Sequence, residues 1–407
     1  MKFVYFGNIL NYQTKPVADQ LYNILGNDFT FIIDSKLDNQ RSKDNDRGDM
    51  CDSCNYAYNM AASEEMRIEA EQLIENCDVL FTLACYCKKV SERVRKNKVT
   101  IFYSERIFKP VSMSRWHPKL IASQWWYNRR FINKRSYMFC VSGYLPIDLS
   151  FYNSYKGKMY KWAYFAYTDN VTWRELEKCK NHDTIHIAWL GFITKANNWK
   201  HFEKLLPLAE EIKKQKIDAV IQVMGDGDAR ADFETQIQEK GLANIFDFKG
   251  YLPNDDLRIA MRSANIFVGT SDYQEGWGVV LNDAMNDGCV AVNSHAAGSS
   301  PYMIKDGKNG FVFEGSTGSD SSELVDIVLS LCKDRESINK IGKTAYESYR
   351  ANWSAEEGAK RLIEFCEAAL ASEKVITFEK YTEGPCSRAE IIKQNDMYRE
   401  IKKSNKI

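Results

Sequence analysis

The chain has 407 residues, 44% hydrophobic and 13% aromatic, and its 55 basic and 55 acidic side chains cancel to a formal net charge of zero. That length suits two to three domains with ordinary cores. The charge balance excludes a wholesale polyanion binder and leaves room for a local basic patch.

In chain order, the first half alternates short apolar runs with longer helical patterns. The runs are KFVYFG (2–7), DFTFIID (28–34), CDVLFTL (77–83), VTIFYS (99–104) and YMFCVS (137–142). Between the second and third lies a long, polar, poorly periodic segment, 35–62, of the kind that is functional or mobile. A polar stretch at 168–184 separates this half from a second with the same rhythm. There the runs are IHIAWLG (185–191), DAVIQVMG (218–225), IFDFKG (245–250), NIFVGTS (265–271), CVAVNS (289–294) and GFVFEG (310–315). Near-continuous apolar strands separated by helices predict parallel sheets covered on both faces. With right-handed crossovers this gives an α/β protein of two doubly wound, Rossmann-like domains. Each would bind ligands beyond the carboxyl ends of its strands, and two facing domains would form a cleft. The expected division is 1–175, 176–353, and a C-terminal helix with a charged tail, 354–407, in which Ser354 caps an acidic first turn.

No apolar run reaches about 18 residues, so no segment reads as a membrane span. The opening MKFVYFGNILNYQ lacks the apolar stretch and cleavage site of a secretory signal, so a cytoplasmic protein is expected. Eleven cysteines include the pairs CDSC (51–54) and CYC (85–87). The second gap is wrong for a zinc ribbon or finger, and an odd total in a reducing compartment favours free thiols.

The stretch SDYQEGWGVVLNDAMNDG (271–288) carries the chemistry. Gly276 and Gly278 let main chain approach a ligand closely. The predicted helix 277–287 would offer unpaired N–H groups to a phosphate or diphosphate. Glu275, an acceptor when ionised, would receive hydroxyls. Asp283 lies eight residues on, about 12 Å along a helix axis and about 80° round it. Two carboxylates so separated do not share a proton or a metal. They suit the two ends of a nucleotide sugar, although an isolated pair would also suit a helix-start acid and a solvated face.

With VMGDGDAR (223–230), FKGYLPNDDL (248–257), SANIFVGTSDYQEGWGVVLNDAM (263–285) and IKDGKNGFVFEG (304–315) in order, residues 185–370 resemble the retaining family-four glycosyltransferases of the GT-B fold. By that resemblance Glu275 meets the donor sugar and Asp283 the ribose. The backbone of Gly276, Trp277, Gly278 and Val279 faces sugar and diphosphate, and Tyr251 and Leu252 border the base. Three departures stand out. The second acid is Asp rather than Glu, shorter by about 1.5 Å. Phe192 stands where an Arg is expected, so the diphosphate cation falls to Lys195 first and Lys200 second; either lysine would also suit a helix-start surface position. In the first half only Gly7 remains of a Gly-Gly loop, and Ser104-Glu105-Arg106 replaces a His. Glu105 is the candidate catalytic residue there, with Arg106 a phosphate ligand; a structural ion pair at the strand end would also suit them. His117 reads as surface.

The resemblance implies transfer of a hexose with retention from a nucleotide-sugar donor. Main-chain N–H groups and a lysine can stabilise the leaving diphosphate without a metal. Asp44-Asn45-Asp46 and Asp255-Asp256 lie in polar loops, so metal independence and no cofactor are expected. The acceptor, a glycan or a lipid-linked glycan, would bind the first half. From Arg106 to Arg135 eight basic residues interleave with Trp116, Trp125, Trp126, Tyr127 and Phe131 without an acid. That pattern suits an anionic membrane surface, at the inner face for a cytoplasmic enzyme. It equally suits core aromatics beneath solvated bases, and single-stranded nucleic acid is disfavoured. Two rivals remain: a degenerate, non-catalytic GT-B binding protein, and a nucleotide-sugar epimerase on the same fold.

Overall fold

The structure, a computed structural model, describes residues 1–34, 50–83, 88–109, 117–196, 198–315 and 320–392. Asp44 to Asp46, Cys85, Cys87, Arg115 and Trp116 lie outside the described residues, as do the side chains of 126–130.

The chain divides into two units, Met1–Tyr167 with Asn352–Lys393, and Thr168–Ala351. The first holds seven strands: β1 (Phe3–Gly7), β2 (Phe29–Ile33), β3 (Ala57–Asn59), β4 (Val79–Leu83), β5 (Val99–Ser104), β6 (Ser136–Cys140) and β7 (Met159–Lys161). Their order is β3-β2-β1-β4-β5-β6-β7, and every pairing is parallel. The all-buried patterns of β1 and β6 follow from their continuous apolar runs. One layer of this core is aromatic: Phe81 stacks on Tyr103 at 4.9 Å and meets Tyr5 edge-on at 4.9 Å and Trp162 at 5.3 Å. Each such buried ring contributes about 1.5–3 kcal/mol from area alone.

The expected separate segment 354–407 is corrected. The helix Ala355–Leu370, capped by the Ser354 hydroxyl accepting from the Glu357 N–H, belongs to the first unit. Its Phe365 packs edge-on against Tyr137 at 5.1 Å, Phe139 at 5.1 Å and Tyr160 at 4.8 Å. Gly358 permits this approach, since a Cβ there would sit 2.5 Å from the Phe165 ring. The chain then runs along the exposed side of β7. The Lys161 N–H donates to the Ser387 carbonyl at 2.8 Å, and the Cys386 and Ala389 N–H groups donate to Lys161 and Met159 at 2.9 and 3.1 Å. These bonds cover a sheet edge that would otherwise offer unpaired main chain.

The second unit holds β8 (Ile185–Leu190), β9 (Ala219–Met224), β10 (Phe246–Gly250), β11 (Ile266–Gly269), β12 (Val290–Ser294) and β13 (Phe311–Phe313), in the order β10-β9-β8-β11-β12-β13, again all parallel. The order reverses between β8 and β11. Side-by-side strands whose connections leave in opposite directions open a crevice at their carboxyl ends. The six expected strands of this half are all present, and its boundary falls at Thr168, inside the predicted polar linker.

Candidate functional site

Two loops meet at the carboxyl ends of β8 and β11. The first, after β8, carries Lys200; the second, after β11, carries Glu275. The Lys200 ammonium pairs with the Glu275 carboxylate, and both side chains are mostly buried, 16% and 17% exposed. The Ser271 hydroxyl donates to the same carboxylate oxygen at 3.3 Å. The small pocket beside them, about 20 Å³, is lined further by Gly269, Gly278, Val280 and Asn293. Glycine is required at two of these positions. A Cβ on Gly269 would lie 1.7 Å from the Asn293 Oδ1, and Gly278 has φ +86°, with Glu275 Cγ 3.3 Å from where its Cβ would be.

Main chain lines the remaining side. Among the described residues, the N–H groups of Gly278, Val279 and Val280 make no hydrogen bond within the chain. The Trp277 carbonyl accepts from the Ser299 N–H at 3.0 Å, and its ring is core: 1% exposed, it donates from Nε1 to Asn282 Oδ1 at 2.9 Å. The predicted helix 277–287 is shorter, Val280–Asn286, because residues 276–279 are spent on the loop. A helix of two turns has little dipole to offer, so the free N–H groups matter more than the axis.

The shorter helix also separates the two expected carboxylates. Asp283 does not line the pocket. Arg258, from the helix Asn254–Ser263, donates to Asp283 at 3.0 Å and to Asp287 at 2.8 Å. Burial raises the Asp283 carboxyl above its usual range against the pull of Arg258, and pushes Asp287 up to about 6. Nothing in the sequence spacing signalled Arg258 as their partner.

The structure separates the two lysines. Lys195 is 55% exposed and pairs with Asp232 at 2.7 Å, on the helix Arg230–Glu239. Only Lys200 reaches Glu275. Gly191 leaves room for this side chain: a Cβ there would lie 3.1 Å from the Lys200 Cγ. Phe192 is 41% exposed. Tyr251, 51% exposed, and the half-buried Leu252 follow Gly250 at the end of β10.

Of the first-unit candidates, Gly7 ends β1 against the Phe31 ring, and Glu105 pairs with Lys109 at 3.3 Å. Arg106 is structural. It is buried with Asp148 at 3.3 Å, and Asp148 also accepts the N–H groups of Ile107 and Phe108 at 2.8 and 3.0 Å. Arg135 likewise donates to the main chain, to Ser372 at 2.7 Å. Phe131 is core, while Trp125 is 54% exposed and His117 is exposed. A larger pocket, about 350 Å³, lies at the opposite end of β11 beside Asn265. Two of its cations are held by carbonyls: Arg335 donates to His182 at 2.7 Å and Lys180 to Ala264.

Sequence reasoning missed His201. Its Nδ1 lies 2.6 Å from Glu203 and its Nε2 3.2 Å from Asp272. These hydrogen bonds, from Asp272 first and Glu203 second, raise the imidazole to about 9 against the cost of burial. Glu203 sits below its usual range in spite of burial, held there by His201 and Asn198. Asp272 is 71 residues away in sequence, so only the fold brings the triad together.

Two doubly wound parallel sheets, with a lysine–carboxylate pair and open main chain at the switch point of the second, define the class: a GT-B fold. Solved structures agree. Anabaena Alr3699/HepE in complex with UDP matches with TM-score 0.65 at 13% identity, over 90% of this chain and 100% of that one. The sucrose-phosphate synthase of Thermosynechococcus elongatus matches with TM-score 0.62 at 13% identity, over 91% and 100%. Residues 188–348 match the family model of the glycosyl transferases group 1. Among curated proteins it is 25% identical over 169 residues to the D-inositol 3-phosphate glycosyltransferase of Paenarthrobacter aurescens, 41% of each chain. It is 26% identical over 171 residues to the poly(glycerol-phosphate) alpha-glucosyltransferase of Bacillus subtilis, 40% of this chain and 24% of that one. The matched stretches thus span well under half the length of these relatives. Among the described residues, no helix is long and apolar enough to cross a membrane.

Proposed function

We propose that the protein transfers a hexose from a nucleotide-sugar donor to a glycan or lipid-linked acceptor, with retention and without a metal. The observation that carries this reading is the Lys200–Glu275 pair beside the free N–H groups of 278–280. Glu275 would accept hydroxyls of the donor sugar. As the bond between the anomeric carbon and the phosphate oxygen breaks, the N–H groups and the Lys200 ammonium would take up the negative charge developing on the diphosphate. These donors are already in place, so little reorganisation is needed. Tyr251 and Leu252 would border the base. HepE, a protein of like fold, has been solved with UDP and with UDP-glucose, which makes a uridine donor the first to try.

The acceptor side rests on the first unit. On the helix Pro118–Phe131, Ile121 and Trp125 stand on adjacent turns, 37% and 54% exposed, in a segment rich in Lys and Arg. This supports attachment to an anionic bilayer. Co-sedimentation with phosphatidylserine vesicles tests it: binding should fall on Trp125→Ala, and equal recovery from neutral vesicles would refute it.

The central experiment is calorimetry with UDP-, GDP-, ADP- and TDP-sugars, followed by transfer assays of Glu275→Gln with and without chelator. One donor should bind, Glu275→Gln should abolish transfer at nearly unchanged melting temperature, and chelator should have no effect. Failure of every donor to bind overturns the reading. The ion pair that occupies Asp283 favours one rival, a binding protein that has lost transfer. That rival predicts donor uptake without any transfer.

A further inference from the structure

His201 occupies a left-handed backbone conformation, φ 48°, uncommon for residues other than glycine. Such a conformation persists only where its surroundings hold it, and it often marks a functional constraint. Here the ring is 8% exposed, and both its nitrogens face carboxylates, on Glu203 and Asp272. Its neighbour in sequence is Lys200, and Asp272 lies three residues before Glu275. The imidazole therefore joins the two loops that present the ion pair.

The same seam carries two further links. The Asp272 N–H donates to the Trp199 carbonyl at 3.0 Å, and the Thr270 hydroxyl donates to the Lys200 carbonyl while accepting from Trp189 Nε1 at 2.8 Å. Asp272, 1% exposed, is itself fixed by the Gln274 N–H at 2.8 Å. Without the imidazole, this buried carboxylate would lose its nearest charged donor.

We propose that His201 is a positioning residue: by donating from both ring nitrogens to Glu203 and Asp272, it locks the loop of Lys200 to the loop of Glu275 and fixes their pairing for the diphosphate. This rests on the donor-site reading above. Both nitrogens donate only while the ring is protonated. The charged groups around it are Glu203 and Asp272, with the Lys200–Glu275 pair beyond. Lys204, next to Glu203, also feels Asp272, Glu314 and Asp320. A ring that titrates at about 9 keeps the lock closed at neutral pH and opens it in alkali.

Two variants separate the ring from the backbone. His201→Asn keeps a residue that tolerates the left-handed conformation but cannot reach both carboxylates. Asp272→Asn keeps the shape and removes one of the two charges that hold the proton on His201. Hydrogen exchange at pH 7 should show faster exchange in 199–204 and 270–276 of His201→Asn, with the rest of the second unit unchanged. That result needs no ligand, so it decides the lock even if the donor screen is empty. With the nucleoside diphosphate found in that screen, His201→Asn should weaken binding about tenfold or more. The wild-type affinity should break near the pH at which the His201 ring titrates by NMR, and in Asp272→Asn the break should move to lower pH. The NMR titration of the His201 ring should move between the two proteins by the same amount as the break. Unchanged exchange in 270–276 overturns the proposal, as does a break that stays in place.

Discussion

The sharpest test of the donor site sets Lys200 against Lys195. The sequence favours Lys195 as the diphosphate cation; the structure puts Lys200, 16% exposed, on Glu275 and leaves Lys195 55% exposed on Asp232. Lys200→Met keeps the length and apolar stem of the side chain and deletes the charge. A hydrogen bond from a charged donor is worth about 1.5–3 kcal/mol. At about 1.4 kcal/mol per decade, nucleotide affinity should fall roughly 10- to 150-fold. Lys195→Met removes only an exposed pair, which solvent and salt screen. It should leave affinity within about threefold. Isothermal calorimetry at fixed salt reads both, with melting curves to confirm that each variant is folded. If Lys195→Met weakens binding as much as Lys200→Met does, the assignment of the phosphate cation to the inner end of the loop is wrong.

Other outcomes follow from the same geometry. Arg258→Met leaves Asp283 and Asp287 buried without their shared cation, and should cost about 3–5 kcal/mol in urea unfolding of the second unit. A loss below about 1 kcal/mol would show that water already serves those carboxylates. Asp287, raised by burial to about 6, contributes stability that is fully present below the unfolded value near 3.8 and is lost as pH rises through 6. Asp287→Asn should therefore flatten the stability profile between about pH 4 and 6, and an unaltered slope in urea titrations at pH 4.5 and 7 would refute the shift. Ending the chain after Ser372 removes the strand partner of β7 and the buried Phe378 and Cys386. Hydrogen exchange should rise in 136–162 while the second unit keeps its protection.

Much of the fold is legible in the sequence because its strands are long apolar runs. VYFG, VLFT and VAVNS have no other use for that pattern. β3 (Ala57–Asn59) and β7 (Met159–Lys161) escaped notice because three half-polar residues at a sheet edge show no period. The return of Ala355–Leu370 to the first unit was equally hidden, since its periodicity states that a face is buried but not against what. At the site, Glu275 and its glycines were readable from spacing. The lysine on Glu275 was not, because the geometry of a ten-residue loop decides which end turns inward. Arg258 and the His201 triad were invisible for a deeper reason. Their partners lie 25 and 71 residues away and meet only when the sheet order reverses.

The strap that closes the edge of β7 also sets a timetable. Everything from Thr168 to Ala351 must leave the ribosome before Phe365 and Ser387 emerge. At about 5–20 residues per second that takes roughly 10–40 s. Throughout that wait the nascent first unit shows a bare strand and an uncovered patch of Tyr137, Phe139 and Tyr160 to the crowded cell. Synthesis speed and chaperone supply, rather than final stability, would then govern how much of the newborn protein escapes aggregation.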